Sequence, residues 1–313
     1  MKPLVSVIIP IFNGEKYIIE TLRSISVQSM NDFEVIVIND GSTDATEELV
    51  GKYAMQDKRI KLFTRNNEGM AASLNFGMKV AKSNLIARID ADDVMTKDRL
   101  KMQLDFLEAN PSVSVASSYV YLINSNSQVI GTNKSKYTSI SEVQKTISQA
   151  KPIGIPHPGV IARKQVLMKA GGYRGQFWPS DDVDLWTRVV ENGGQILIQP
   201  EFLTYYRIHS SSISVDSALK ARKMYRWVRM CQCARAAKNP EPTLDEFNQY
   251  MSRQPLVRKL TIYRHDYAFL FYKKSASYYA SGDMSKAIGL FILSCVLRPS
   301  LALSQALSRL KLH

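Results

Sequence analysis

Long apolar runs, paired cysteines and glycine-rich phosphate loops are all missing from this 313-residue sequence. No stretch reaches the roughly 20 consecutive apolar residues that a membrane-spanning helix needs. The longest candidate, Ala287 to Leu297, is closed by Lys286 and Arg298 and reads as a core or interfacial helix. The three cysteines, Cys231, Cys233 and Cys295, are odd in number, and Cys231-x-Cys233 has no second pair. That argues against a disulfide framework and a zinc site and suits a reducing compartment. Neither G-x-G-x-x-G nor a Walker-type lysine loop occurs, so dinucleotide oxidoreductases and P-loop enzymes fit poorly. Leu4–Ile9 is ended by Pro10 and Asn13-Gly14 too early for an export signal.

What is present is enough apolar material, 45% of residues, to bury a full core. The charge is unevenly spread. Residues 214–313 carry 17 Lys and Arg against 6 Asp and Glu, which is +11 of the overall +13. This step predicts two modules, 1–213 and 214–313. A basic module suits nucleic acid or an anionic membrane leaflet, and a helical tail with a solvated cationic face is the plainer alternative.

The first hundred residues alternate strand and helix. Leu4–Pro10, Phe33–Asn39, Ile60–Thr64 and Asn84–Asp90 read as strands. Between and after them, helices are predicted over Glu15–Gln28, from Asp44 with Glu47 completing a capping box, over Gly69–Lys82, and from a Thr96 cap to Asn110-Pro111. This order predicts an α/β fold with a mostly parallel sheet covered on both faces. Residues 112–162 read as shorter strands extending the sheet, Ser180–Asn192 as a helix and 195–208 as two final strands. From Asp216 onward the chain reads as helix, broken near Asn239-Pro240, Pro255, Gly282 and Pro299.

In such sheets ligands sit at the carboxyl ends of the strands, and here those ends are polar. Asp90-Ala91-Asp92-Asp93 follows the fourth strand. Side chains alternate along a strand, so Asp90 and Asp92 are expected on one side, offering hard oxygen ligands to Mg²⁺ or Mn²⁺. Turn chemistry ahead of Thr96 is the competing explanation. Asn39-Asp40-Gly41-Ser42-Thr43-Asp44 follows the second strand. Ser42, Thr43 and Asp44 are explained by helix capping. Asp40 is not, and a carboxylate there suits the imide N–H of a pyrimidine base.

Val5–Pro10 with Asn13, then Asn39–Asp44, Asn67-x-Gly69 with Asn75-x-Gly77, and Asp90–Asp93 resemble, in order and spacing over about the first 210 residues, glycosyltransferase family 2 with its GT-A fold. The resemblance implies an inverting, non-processive transferase with a nucleotide-sugar donor, a UDP-sugar foremost, and a Mn²⁺ or Mg²⁺ cofactor. It implies that Pro10, Phe12, Asn13 and Asp40 hold the base, that Arg65, Asn67 and Gly69 line the nucleotide pocket, and that Asp90, Ala91 and Asp92 meet ribose and metal. The family's Glu-Asp pair at a helix start reads Asp181-Asp182 here, with Asp182 the expected general base and Asp181 the alternative. Arg207 and His209 are expected near the diphosphate or the metal, and His157, Trp178 and Asp184 on the acceptor side.

Processive members carry Gln-x-x-Arg-Trp, whereas Lys223 precedes Arg226-Trp227 here. The implied acceptor is a glycan or an undecaprenyl-diphosphate-linked sugar, in bacterial surface polysaccharide such as O antigen or lipopolysaccharide. Aromatic and basic residues interleave in the tail (Tyr225, Trp227, Arg229; Tyr263, Arg264, Tyr267, Phe269, Phe271, Tyr272, Lys273, Lys274), which predicts a peripheral position on the cytoplasmic face of the membrane. Tyr279 to Pro299 faintly resembles one tetratricopeptide-like hairpin. A sugar-phosphate nucleotidyltransferase and a nucleic-acid-binding protein are the rival classes.

Overall fold

In a computed structural model of the chain, residues 2–209, 215 and 217–300 are described. In chain order the elements are β1 (Val5–Ile11), α1 (Ile18–Ser26), β2 (Phe33–Asn39), α2 (Thr46–Gln56), β3 (Ile60–Thr64), α3 (Met70–Val80), β4 (Leu85–Arg88), β5 (Val94–Met95), α4 (Arg99–Ala109), β6 (Val113–Ile123) and β7 (Val129–Asn133). They continue with α5 (Ile140–Ser148), β8 (Ile161–Arg163), α6 (Lys164–Lys169), α7 (Asp181–Glu191), β9 (Gln195–Arg207), α8 (Ala218–Ala236), α9 (Leu244–Ser252), α10 (Leu256–Ser281) and α11 (Met284–Leu297).

The strands form one sheet in the order β3-β2-β1-β4-β8-β6-β9-β5, with β7 paired to β6. β3, β2, β1 and β4 run parallel, while β8 is antiparallel to both β4 and β6. Strand periodicity divides the core into two layers. Val5, Val7 and Ile9 of β1 and Val35 and Val37 of β2 pack with Ile18, Leu22 and Ile25 of α1. Ile8, Ile36 and Ile38 point the other way, against Leu74 and Met78 of α3 and, further along, Leu185 and Trp186 of α7. Gly77 allows that second layer to close: a β-carbon there would lie 2.7 Å from Ile8 Cγ2.

The chain divides into two compact units. The first runs to Leu122 and resumes from Gly131 to Arg207; the second takes Ile123–Ile130 and the chain from Ile208. The boundary expected at residue 213, and the helix start at Asp216, lie outside the described residues.

In the second unit, α10 stops at Gly282, whose φ of 86° is the left-handed conformation glycine accepts freely. α11 then returns antiparallel to α10, with Ser275 Oγ donating to Ala287 O (2.7 Å) and Ser294 Oγ to Ala268 O (2.8 Å). Arg222 and Arg226 of α8 clasp Asp266 of α10. Trp227 is buried and donates to Pro242 O, and Lys273 is half-buried. The aromatic and basic residues interleaved in sequence are therefore split between interior and surface.

Several expectations are corrected. β9 is one 13-residue strand, not two. Thr96 does not cap α4; its hydroxyl donates to Leu203 O. Glu47 does not reach back to Asp44 but accepts from Asn39, and the capping boxes stand instead at Ser139/Glu142 and Thr243/Glu246. Among the described residues no helix is long and apolar enough to cross a membrane.

Candidate active site

The parallel register of β1 on β2, Val5 against Phe33 through Ile11 against Asn39, brings the two carboxyl ends abreast. Their loops are stitched together. Asn13, at φ 50°, accepts from Thr43 N through Oδ1 and donates its own N–H to Ser42 Oγ, while Gly14 N donates to Thr46 Oγ1. Pro10 is buried at the end of β1, and Phe12 stands half exposed beside the loops. Asp40 N–H donates to Ile11 O (2.8 Å). The Asp40 carboxylate accepts from Glu68 N (3.0 Å) and Gly69 N (2.9 Å), so it holds the Arg65–Gly69 loop against the end of β2. Each of its oxygens keeps a further lone pair.

Gly41 makes the close approach possible: at φ 76° a β-carbon would sit 3.0 Å from Asn67 N. Arg65 pairs with Glu68 and lies over the Phe76 ring (4.6 Å).

The acidic group gathers on a turn, not along a strand. β4 ends at Arg88, and Asp93 N donates to Asp90 O (3.2 Å). The turn brings in a third acid: one carboxylate oxygen from each of Asp90, Asp92 and Asp93 lies within 4.8 Å of the others. β9 sets this turn's position. Its register with β5, Val94 opposite Tyr205, places Arg207 beside the acids, where its N–H donates to Asp93 Oδ1 and its Nε to Asp92 O, both 2.7 Å. The Arg207 guanidinium continues to Glu20 and lies over Tyr17. Arg207 thus braces the acidic turn. Thr21 Oγ1 fixes the turn from the other side through Ala91 O and Asp93 O.

Burial raises the pKa of Asp90, with Arg88 opposing and Asp92 adding. Burial also raises that of Asp93 well above the ordinary value, helped by Asp92 and Asp90. Asp93 Oδ2 is buried without a hydrogen-bond partner. Three crowded carboxylates with an unsatisfied oxygen are a donor set suited to Mg²⁺ or Mn²⁺. His209, expected among the metal ligands, belongs to the second unit.

A second pair of acids opens α7. Asp181 is buried, with Oδ2 unpartnered, while the Asp182 side chain keeps 23% of its surface. Burial and then the neighbouring Asp181 raise the Asp182 pKa to about 7, against its backbone hydrogen bonds and the charge of Arg88. The β4–β8 register sets what faces it: Ala87 opposes Ile161, and Arg88 N donates to Val160 O, so the His157–Gly159 turn lies just beyond the strand. His157 Nδ1 is 3.9 Å from Asp182 Oδ2, and Nε2 is 2.8 Å from the Tyr173 hydroxyl.

Arg88, almost wholly buried, links the two acid groups. It pairs with Asp90 (2.5 Å), and its own pKa is raised by Asp90, Tyr173, Asp182 and Asp181, against the effect of burial. Trp178 lines a cavity of about 390 Å³ with Gly69, Met70, Asn75, Tyr173 and Gly175.

Asp184 does not face an acceptor. It is fully buried, with its oxygens taken by Arg174 (2.9 Å) and Arg188 (2.7 Å), and Arg188 continues to Gly172 O. It orients the segment that carries Tyr173. Asp93 joins Asp90 and Asp92 in the cluster that the sequence marks, whereas Arg88 and Tyr173 are additions that sequence reasoning missed. Arg88 was detectable as a lone cation in an otherwise apolar strand. Nothing local marks Tyr173, which Asn75 holds through both backbone groups.

An acidic turn at the carboxyl edge of a parallel sheet, beside a glycine-assisted loop and a second carboxylate pair, defines a nucleotide-sugar transferase of the GT-A type. Residues 6–170 match the family model for glycosyl transferase family 2. An uncharacterized glycosyltransferase, MJ1057 of Methanocaldococcus jannaschii, is 33% identical over 72% of this chain and 78% of its own length. The O-antigen biosynthesis glycosyltransferase WbnJ of Escherichia coli is 31% identical over 67% of this chain and 81% of its own.

Two solved structures share the fold, each with a TM-score of 0.57. S. aureus TarS 1-349 in complex with UDP-GlcNAc is 18% identical, covering 91% of this chain and 90% of that one. The mannosyltransferase PcManGT from Pyrobaculum calidifontis, in complex with GDP-Man and Mn²⁺, is 19% identical, covering 100% and 81%. The chain belongs to glycosyltransferase family 2. It is a glycosyltransferase with a GT-A fold and C-terminal helices.

Removing the Asp184 carboxylate leaves two arginines, one nearly buried, without their counter-charge. Asp184→Ala is expected to cost about 3–5 kcal/mol, read as a lowered urea midpoint. A midpoint equal to that of the unaltered protein would contradict the buried clasp.

Proposed function

We propose that the enzyme transfers one sugar from a nucleoside-diphosphate sugar, a UDP-sugar foremost, to a hydroxyl of a lipid-linked glycan, inverting the anomeric centre, in bacterial surface polysaccharide synthesis. The observation that carries this reading is the placement of Asp182, the more accessible of the two acids that open α7, one arginine away from the acidic turn. The glycan and its polymer class are supported by the likeness to WbnJ.

An acceptor hydroxyl has a pKa far above 7 and is a poor nucleophile until a base within reach takes its proton as it attacks. Asp182 performs that step, and Asp181 beside it keeps the carboxylate basic. The oxygen attacks the anomeric carbon, the bond to the diphosphate breaks on the opposite face, and one displacement gives inversion. Asp90, Asp92 and Asp93 would hold a divalent cation, which when bound supplies Lewis-acid stabilisation of the departing diphosphate. Asp40, Arg65, Asn67 and Gly69 form the base pocket, and the cavity beside Trp178 lies toward the acceptor.

The second unit supports a membrane-surface role. α10 exposes Leu256, Val257, Leu260, Tyr263 and Tyr267, and α11 exposes Met284, Ile288, Ile292 and Val296 at four-residue intervals. Exposed Arg253, Arg264 and Lys274 lie on the same long helix or its approach. Apolar and aromatic groups flanked by cations settle at an anionic headgroup layer, where a lipid-linked acceptor is presented.

Asp182→Asn is expected to bind donor nucleotide normally by calorimetry and to lose transfer by about 10²- to 10⁴-fold; unchanged turnover would remove Asp182 as base. Because the base works only when deprotonated, kcat should be full above the Asp182 pKa and fall as pH drops through about 7. A rate that is flat from pH 5.5 to 8 would contradict this. The full chain should float with phosphatidylglycerol vesicles at low salt and not with phosphatidylcholine vesicles, and Ile288→Ser with Ile292→Ser should weaken flotation. Equal recovery with both lipids, or with neither, would count against the membrane surface.

A further inference from the structure

Tyr173, which is buried, and His157, which is partly buried, are polar side chains that the displacement itself does not require. The His157 ring packs edge-on against Trp186 (5.6 Å between centroids), which stands one turn beyond Asp182 on α7. Its two nitrogens face different partners, the Tyr173 hydroxyl at 2.8 Å and the Asp182 carboxylate at 3.9 Å. Tyr173 is itself immobilised, with Asn75 Nδ2 donating to its carbonyl (2.8 Å) and its N–H donating to Asn75 Oδ1 (2.9 Å).

A neutral imidazole has one N–H, and the hydrogen bond at one nitrogen decides which atom carries it. Burial, followed by the charge of Arg88, pushes the His157 pKa well down, which keeps the ring neutral. If Nε2 carried the proton, the Nδ1 lone pair would point at a carboxylate. If instead the Tyr173 hydroxyl donates to Nε2, the proton sits on Nδ1 and faces Asp182. Only the second arrangement sets a donor against each acceptor.

We propose that Tyr173 and His157 are positioning residues for the base: the tyrosine hydroxyl locks the histidine tautomer, and the Nδ1–H aims and supports the Asp182 carboxylate. The inference rests on Asp182 being the base. The titratable and charged groups facing that carboxylate are Asp181 on its own helix, Arg88 with its partner Asp90 from the end of β4, and His157 and Tyr173 from the two segments opposite. Asp181 and burial make Asp182 harder to ionise, whereas a directed N–H makes ionisation easier and fixes which oxygen meets the acceptor. At 3.9 Å the contact is a charge–dipole one; catalytic hydrogen bonds that are long in a free enzyme tighten in the substrate complex.

The test is a set of kcat and KM profiles against pH for the unaltered protein, Tyr173→Phe, His157→Ala, His157→Asn and Asp182→Asn. Tyr173→Phe removes a single hydroxyl and serves if the histidine variants fold poorly. Tyr173→Phe and His157→Ala should lower kcat on the order of tenfold with donor KM little changed, and move the acid limb upward by about half a pH unit or more. His157→Asn, whose amide N–H can replace Nδ1–H, should recover much of the rate. An acid limb that stays in place, or an asparagine variant no better than alanine, overturns the proposal while an inactive Asp182→Asn leaves the base assignment standing. Full activity in Asp182→Asn overturns both.

Discussion

One buried guanidinium, Arg88, holds together a concentration of negative charge that the rest of the first unit exists to position. Asp90 pairs with it directly, and Asp181 and Asp182 feel its charge from α7. Two like charges 4 Å apart repel by about 4 kcal/mol at the effective dielectric of a protein surface. Five carboxylates gathered about so few cations therefore cannot all ionise at no cost. The raised pKa values of Asp90, Asp93, Asp181 and Asp182 express that frustration, with burial as the largest cause in each. A bound divalent cation would relieve the turn, and in the proposed reaction a proton taken from an acceptor relieves the helix. The two acid groups are thereby suited to different partners, although both are made of aspartates.

The sheet makes this arrangement rigid. β1 and β2 are buried along their whole length, and their two faces feed separate apolar layers, one closed by α1 and the other by α3 and α7. A slip of one residue would exchange those faces, so the register that buries Ile8 and Val7 also sets the Asn13 and Asp40 loops side by side. β9 adds a constraint from far along the chain: Arg207 reaches back to Asp92, Asp93 and Glu20. The acidic turn is pinned between Thr21 of α1 and Arg207 of β9, and so it keeps its shape despite internal repulsion.

Much of this was legible in the sequence, and the limits follow a physical division. Ile60–Thr64 matches an observed strand, and so does Phe33–Asn39, whose continuous β-branched run bounded by polar turns has few other uses. The parallel α/β order was legible because parallel strands need crossover helices of that length, while GT-A came from the family resemblance of the loop motifs. Capping was misplaced because Asp44 and Glu47 have the spacing of a capping box but find better partners in Thr46 and Asn39. The acidic group was legible as a cluster, yet its geometry is that of a turn, which admits Asp93 where strand alternation would have turned it away. Asp184 looked like its neighbours in sequence. Its partners, Arg174 and Arg188, come from a loop and the next helical turn, and only the packing of α7 reveals that it is interior. The His157–Asp182 and Tyr173–Asn75 contacts join residues 25 and 98 positions apart, and no local pattern encodes them.

Asp181, where the family resemblance implies a glutamate, bears directly on Asp182, the proposed base beside it. The shorter Asp181 is buried, with one oxygen unpartnered. Its proximity is the second cause, after burial, of the raised Asp182 pKa. A carboxylate of ordinary pKa is a weak base toward an alcohol; one whose pKa lies near the working pH is stronger and still largely deprotonated. The N-terminus of α7 works in the opposite sense, since its backbone donors favour the charged form. Asp182 is poised between these influences, with burial first and Asp181 second in tilting it toward the strength that the proposed reaction asks of a base.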